Sequence, residues 1–203
     1  TDAAATEKKV SSLTISKCGR WLGVLVGKRT YSVYRVPDTT NELPDCSSLD
    51  QIETHAVFKY TSDCDFYGGI SFNYTGDKFA IGRTKGCLVF LLKQNGQEWD
   101  MTPKIQVSNG TYSLGMFGKC SNKLCYGLMG SLYVSDVEGT SVKNTKTFEQ
   151  KETCSVTFSD DDKLLLVSNM QKIINLYKIA TGEVLFTKTY LFQPRSLRFT
   201  PGN

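Results

Sequence analysis

Ser12-Leu13-Thr14-Ile15-Ser16-Lys17-Cys18-Gly19-Arg20-Trp21-Leu22 is the stretch on which the fold turns, because the chain repeats it. It returns as Gly69-Ile70-Ser71-Phe72-Asn73-Tyr74-Thr75-Gly76-Asp77-Lys78-Phe79 and again as Ser155-Val156-Thr157-Phe158-Ser159-Asp160-Asp161-Asp162-Lys163-Leu164-Leu165. A looser copy is Ser113-Leu114-Gly115-Met116-Phe117-Gly118-Lys119-Cys120-Ser121-Asn122-Lys123-Leu124, and Ser196-Leu197-Arg198-Phe199-Thr200-Pro201-Gly202-Asn203 opens a fifth. Phe72 to Met116 is 44 residues, Met116 to Phe158 is 42, and Phe158 to Phe199 is 41. Each copy holds an apolar-alternating stretch, a polar turn and a second apolar stretch, the pattern of half-buried strands joined by a tight turn.

A period of roughly 40–45 residues with several short strands per unit is the mark of propeller blades. The expected fold is all-β: a β-propeller of four-stranded antiparallel blades, four blades and the first strand of a fifth. The blades are placed near 10–60, 66–107, 111–149 and 152–190, with 195–203 starting the next. Strands are predicted near 11–16, 21–26, 30–36 and 53–60, then 68–72, 78–82, 86–93 and 103–107. The third blade takes 111–117, 123–128, 131–136 and 145–149, and the fourth 154–158, 163–167, 173–179 and 183–189. Ala180-Thr181-Gly182 supplies a tight hairpin turn. No segment sustains a 3.6-residue apolar period, so helix should be almost absent. The excess length of the first blade lies at 37–52, whose Pro, Asp, Thr and Ser content reads as a surface loop.

These units resemble the blades of the WD-repeat β-propeller superfamily. Leu13-Thr14-Ile15-Ser16-Lys17-Cys18-Gly19-Arg20-Trp21-Leu22-Gly23 matches the first half of that repeat. Asn175-Leu176-Tyr177-Lys178-Ile179-Ala180-Thr181-Gly182 matches the second half, with Tyr177 at the tryptophan position; Tyr34 stands there in the first blade, and Ser135-Asp136 keeps only the acid in the third. The chain departs from the family in having one histidine and two tryptophans, too few for a Ser/Thr–His–Asp–Trp network in every blade. Trp99-Asp100 lies outside the expected strand and reads as accidental. Since the resemblance implies a seven-bladed ring, these blades are expected to be part of a larger one, completed by a continuing chain or a partner. A four-bladed closure is the alternative. An uncompleted end exposes an apolar sheet face, an association hazard.

The 203 residues are 40% hydrophobic, with no apolar run long enough to cross a bilayer and no secretory h-region in Thr1 to Lys9. Seven cysteines in no tight pattern fit a reducing compartment, hence an intracellular location, cytoplasmic or nuclear. Asn73-Tyr74-Thr75 and Asn109-Gly110-Thr111 then read as chance sequons. His55 is read as a surface residue rather than a general base. Cys120 and Cys125 bracket a hairpin turn without the further ligands of a zinc site, and Asp160-Asp161-Asp162 lacks the alternating ligands of a calcium loop and reads as a solvated turn. The glycines at 115, 118, 127 and 130 read as strand bends and turns, and no phosphate loop or dinucleotide fingerprint occurs. The expectation is therefore no catalytic residue, no metal, no cofactor and no small-molecule substrate.

Charge offers the one candidate surface. Turns between second and third strands project to one face of a propeller, and here they hold Lys28, Arg29, Arg83, Lys85 and Lys172. The connections into each next blade reach the same face with Lys8, Lys9, Lys151 and Arg195. Turns between third and fourth strands reach the opposite face with Asp38, Glu42, Asp45, Asp50, Glu98, Asp100, Glu138 and Glu183. The ring is expected to be basic above and acidic below, with Lys28, Arg29, Arg83, Lys85, Lys172 and Arg195 binding a partner. The favoured function is a non-catalytic protein–protein interaction scaffold in a multi-protein complex. The alternatives are a propeller of a ribonucleoprotein or ribosome-biogenesis assembly contacting RNA through the basic face, and a guanine-nucleotide exchange-type propeller.

Overall fold

A computed structural model describes residues 9–36, 56–92, 94–95, 98–99, 103, 105–107, 113–128, 130–150 and 152–200. Four antiparallel four-stranded sheets account for nearly all of it. The first holds β1 (Val10–Ile15), β2 (Trp21–Val26), β3 (Thr30–Arg35) and β4 (Phe58–Thr61) in that order. The second holds β5 (Phe66–Phe72), β6 (Lys78–Arg83), β7 (Gly86–Leu91) and β10 (Ile105–Val107); between its last two strands a two-stranded ribbon, β8 (Gln94–Asn95) with β9 (Glu98–Trp99), is added. The third holds β11 (Ser113–Phe117), β12 (Lys123–Leu128), β13 (Ser131–Glu138) and β14 (Ser141–Glu149), and the fourth β15 (Thr153–Phe158), β16 (Leu164–Asn169), β17 (Ile173–Lys178) and β18 (Val184–Thr189). No helix occurs among the described residues, so none is long and apolar enough to cross a membrane.

Each sheet is a meander, and each packs face to face on the next. In the second sheet, which has a neighbour on each side, the second and third strands are therefore covered on both faces and read as apolar runs rather than alternations. Every residue of β6 is buried, as are Gly86 to Phe90 of β7. The first interface joins Tyr31, Val33 and Phe58 to Ile70, Phe79, Ile81 and Phe90. Phe58, Phe79 and Phe90 form an aromatic triangle with all three centroid distances at 5.0 Å. The next joins Val89 and Ile105 to Phe117, Leu124 and Val137, and the last joins Leu132, Val134 and Phe148 to Val156, Phe158, Leu165 and Tyr177. Gly115 is needed at the middle interface for closeness rather than bending: a Cβ there would lie 2.5 Å from Cys87 Sγ.

Three strand-level differences from the sequence reading have local causes. β14 begins at Ser141 rather than 145, because Gly139-Thr140 closes a tight hairpin that prolongs its pairing with β13. β4 starts at Phe58, and residues 37–55, including the expected 37–52 loop and His55, lie outside the described residues. Of residues 195–203, expected to begin a further blade, 195–200 carry no ladder partner and 201–203 lie outside the described residues. The segment 193–200 nonetheless packs on the blades: Ser168 Oγ donates to Pro194 O at 2.8 Å and Gln193 Nε2 to Cys154 Sγ at 2.9 Å on the fourth sheet, and Lys119 Nζ of the third blade's β11–β12 turn sits 5.9 Å from the Phe199 ring centre.

Candidate functional site

The connection Ser62-Asp63-Cys64-Asp65 organises the face expected to bind a partner. Ser62 N–H donates to Arg29 O, Phe66 N–H to Lys28 O and Thr84 N–H to Asp65 O, each at 2.9–3.0 Å, so the connection is stitched between the β2–β3 and β6–β7 turns. That stitching places two carboxylates among the basic residues. Arg29 Nε donates to Asp65 Oδ1 at 2.7 Å, Lys85 Nζ to Asp63 Oδ2 at 2.9 Å, and Arg83 Nη1 stands 3.5 Å from Asp63 Oδ1. The Lys85 and Arg29 bonds hold Asp63 and Asp65 below the usual carboxylate range, and the same bonds raise both cations. Arg83 is not a loop-tip residue: it ends β6 with its side chain 6% exposed. Lys172 and Arg195 lie apart from this cluster, exposed, and with Lys28 they form no ion pair among the described residues. Lys8 and Lys151 lie outside those residues.

The acidic residues expected on the opposite face lie mostly outside the described residues. Antiparallel order brings the turns between first and second strands there as well, and these carry Lys17, Arg20, Lys119 and Lys163. Of the acidic residues expected on it, Asp38, Glu42, Asp45, Asp50 and Asp100 lie outside the described residues; Glu138 is paired with Lys143 at 2.6 Å and Glu183 is exposed. Charges of both signs occupy both faces.

On this second face the repeated motif explains itself. In the first blade Ser16 N–H donates to Trp21 O, Trp21 N–H to Ser16 Oγ and Gly19 N–H to Ser16 O. Asn73, Lys78 and Gly76 repeat those three bonds in the second blade, and Ser159, Leu164 and Asp162 repeat them in the fourth. The third turn residue has positive φ, 74° at Gly19, 73° at Gly76 and 53° at Asp162. Aspartate accepts that backbone here because its carboxylate is used. Asp162 is 3% exposed and accepts from Lys119 N–H at 2.6 Å, Cys120 N–H at 3.0 Å and Ser121 Oγ at 2.7 Å, clamping the third blade to the fourth. The Asp160–Asp162 stretch is thus a hairpin turn whose last residue is buried, not solvated. Gly118 is the matching surface, since a Cβ there would strike that carboxylate. Asn73 Nδ2 likewise donates to Asn122 Oδ1 at 2.7 Å, and its complete burial closes the first sequon to modification. Asn109 lies outside the described residues.

The other singled-out residues fall into place around this frame. Cys120 is exposed and Cys125 fully buried, and the six described cysteines are free. Among the described residues no three His, Cys, Asp or Glu side chains gather as a metal site requires. Tyr177, at the tryptophan position, donates its hydroxyl to Gln150 Oε1 at 2.9 Å. Among the described residues Cys18 is the one thiol drawn down: desolvation, the largest single influence, raises it, but the hydrogen bonds of Ser16 and Arg20 together outweigh that and bring it to about 7. Ser16 Oγ accepts from Trp21 N–H at 3.0 Å through a lone pair, which leaves its own O–H for Cys18 Sγ at 3.3 Å.

Among solved structures, the chain aligns with a chain of the crystal structure of a mitotic checkpoint complex at TM-score 0.64 and 17% identity, over 93% of this chain and 54% of that one. It aligns with the Cps50 (Swd1) β-propeller domain of Myceliophteria thermophila at TM-score 0.67 and 10% identity, over 91% of this chain and 56% of that one. The chain has a β-propeller fold. This propeller spans about half the length of each of those two chains. No protein-family model matches the sequence, and no curated protein matches it.

Proposed function

We propose that this propeller is a non-catalytic docking scaffold for protein partners, and that it binds them through the face built on the β2–β3 and β6–β7 turns. One observation carries the reading: three segments distant in sequence are stitched by backbone bonds into a single rigid, charged loop surface. A preorganised surface loses little conformational entropy on binding. Lys28, Lys172 and Arg195 offer unpaired charge to an acidic partner, while Arg29, Arg83 and Lys85 must exchange Asp63 and Asp65 for it. Those two aspartates would oppose a phosphate backbone, so a protein partner is favoured over RNA. The free thiols support an intracellular location. Further blades would complete the ring, covering inner-strand residues such as Leu13 and Ile15, which are 64% and 62% exposed here.

The test is affinity purification of the whole chain from cells beside its Lys28→Glu/Arg29→Glu/Lys172→Glu/Arg195→Glu variant. A protein partner held by the parent and lost by the variant is expected. Equal recovery by both would refute the surface, and salt-sensitive recovery of RNA in place of protein would refute the choice of partner.

A further inference from the structure

A second charged feature stands on the other face and owes nothing to the surface just described. Between the third and fourth blades a cleft of about 290 Å³ is lined by Lys123, Lys146, Lys163 and Lys178 with Asp136 and Asp162. Buried Val134 and Ile179 line it as well. Both aspartates are already engaged. Asp162 is held by its three donors from the neighbouring turn, and Asp136 accepts from Lys123 Nζ at 2.6 Å and Asn144 Nδ2 at 3.0 Å. Lys163 reaches Asp161 at 3.0 Å. Lys146 donates only to a carbonyl, Ala180 O, which ties the two blades across the cleft, and neither it nor Lys178 has a carboxylate partner among the described residues.

We propose that this inter-blade cleft binds a phosphorylated side chain of a partner peptide. Two uncompensated ammonium groups stand beside a concave site walled partly by apolar side chains, and a phosphoserine or phosphothreonine brings about −1.5 to −2 charges with three acceptor oxygens. The charges match, and hydrogen bonds between an ammonium and an ionised phosphate oxygen are stronger than those between neutral groups. A single carboxylate would leave one lysine unanswered. Lysines rather than arginines suit a compact, tetrahedral anion approached from several sides, because each ammonium acts as a movable point charge.

The experiment is a fluorescence-anisotropy titration of the whole chain with a labelled phosphoserine peptide of otherwise neutral sequence, its unphosphorylated twin, and a twin with glutamate at that position. The phosphopeptide should bind at least about tenfold more tightly than either twin, and Lys146→Glu/Lys178→Glu should remove that preference. Lys28→Glu/Arg29→Glu, on the other face, should leave it unchanged, so this proposal and the docking-face reading fail separately. Lys178→Gln, at an exposed side chain without an ion pair among the described residues, serves if the double variant melts early. Equal binding of the three peptides, no binding at all, an unchanged preference in the cleft variants, or its loss in the Lys28/Arg29 variant would each overturn the proposal.

Discussion

Asp162 shows how one side chain can substitute for a glycine and gain a function by doing so. Its backbone adopts a conformation that glycine takes freely, and the cost is offset by three hydrogen bonds into the neighbouring blade. Asp162→Ala should destabilise the chain by about 2–4 kcal/mol in urea denaturation, because buried donors are left unmade. Asp162→Gly should recover only part of that loss, by relieving the backbone. Cys18 offers a different residue-scale test. Alkylation by iodoacetamide should rise with pH through a midpoint near 7 at Cys18, and Arg20→Ala should move that midpoint upward. Cys87, pushed up to about 12 by burial, and Cys125, raised by the same cause, should react only after unfolding.

At the scale of the element, the β5–β6 turn carries a pH dependence. Partial burial of Asp77 raises its pKa, but bonds from Lys78, Thr75 and Asn73 outweigh that and bring it down to about 2. A carboxylate lowered in the folded state stabilises above its unfolded value of 3.8, and that contribution is lost as pH falls toward 2. Acid titration followed by circular dichroism should therefore show stability falling between those values, and Asp77→Asn should flatten the slope there. The strands differ in how they were legible. Leu13/Ile15 and Leu22/Val24 alternate, and Ala180-Thr181-Gly182 closes β17 onto β18, so period and turn chemistry were enough to place them. Arg83 falls just past the expected 78–82 strand and so reads as a turn residue. It ends a fully buried strand, tolerated beside Asp63, and nothing in the local sequence distinguishes the two situations.

For the whole molecule, stability resides in the stacking of blade on blade, so interface residues should matter more than their position within a sheet. Phe79, fully buried at the aromatic triangle, should cost about 3–5 kcal/mol on truncation to alanine, measured by thermal or urea unfolding. Amide hydrogen exchange should be slowest in β6, β12 and β16 and fastest in β18, whose residues are all exposed. Fast exchange in β6 would contradict the stacked arrangement.

The order of strands, the blade repeat and the turn motif were already determined by the sequence alone, because period-two burial and turn backbone demands are local and recur every blade. Which charges meet was decided only by the tertiary structure. Asp63 and Asp65 are brought to Arg29, Arg83 and Lys85, and Asp162 to Gly118–Ser121, by contacts between elements. Coulombic pairing and close packing depend on distance in space, and distance along the chain does not encode it.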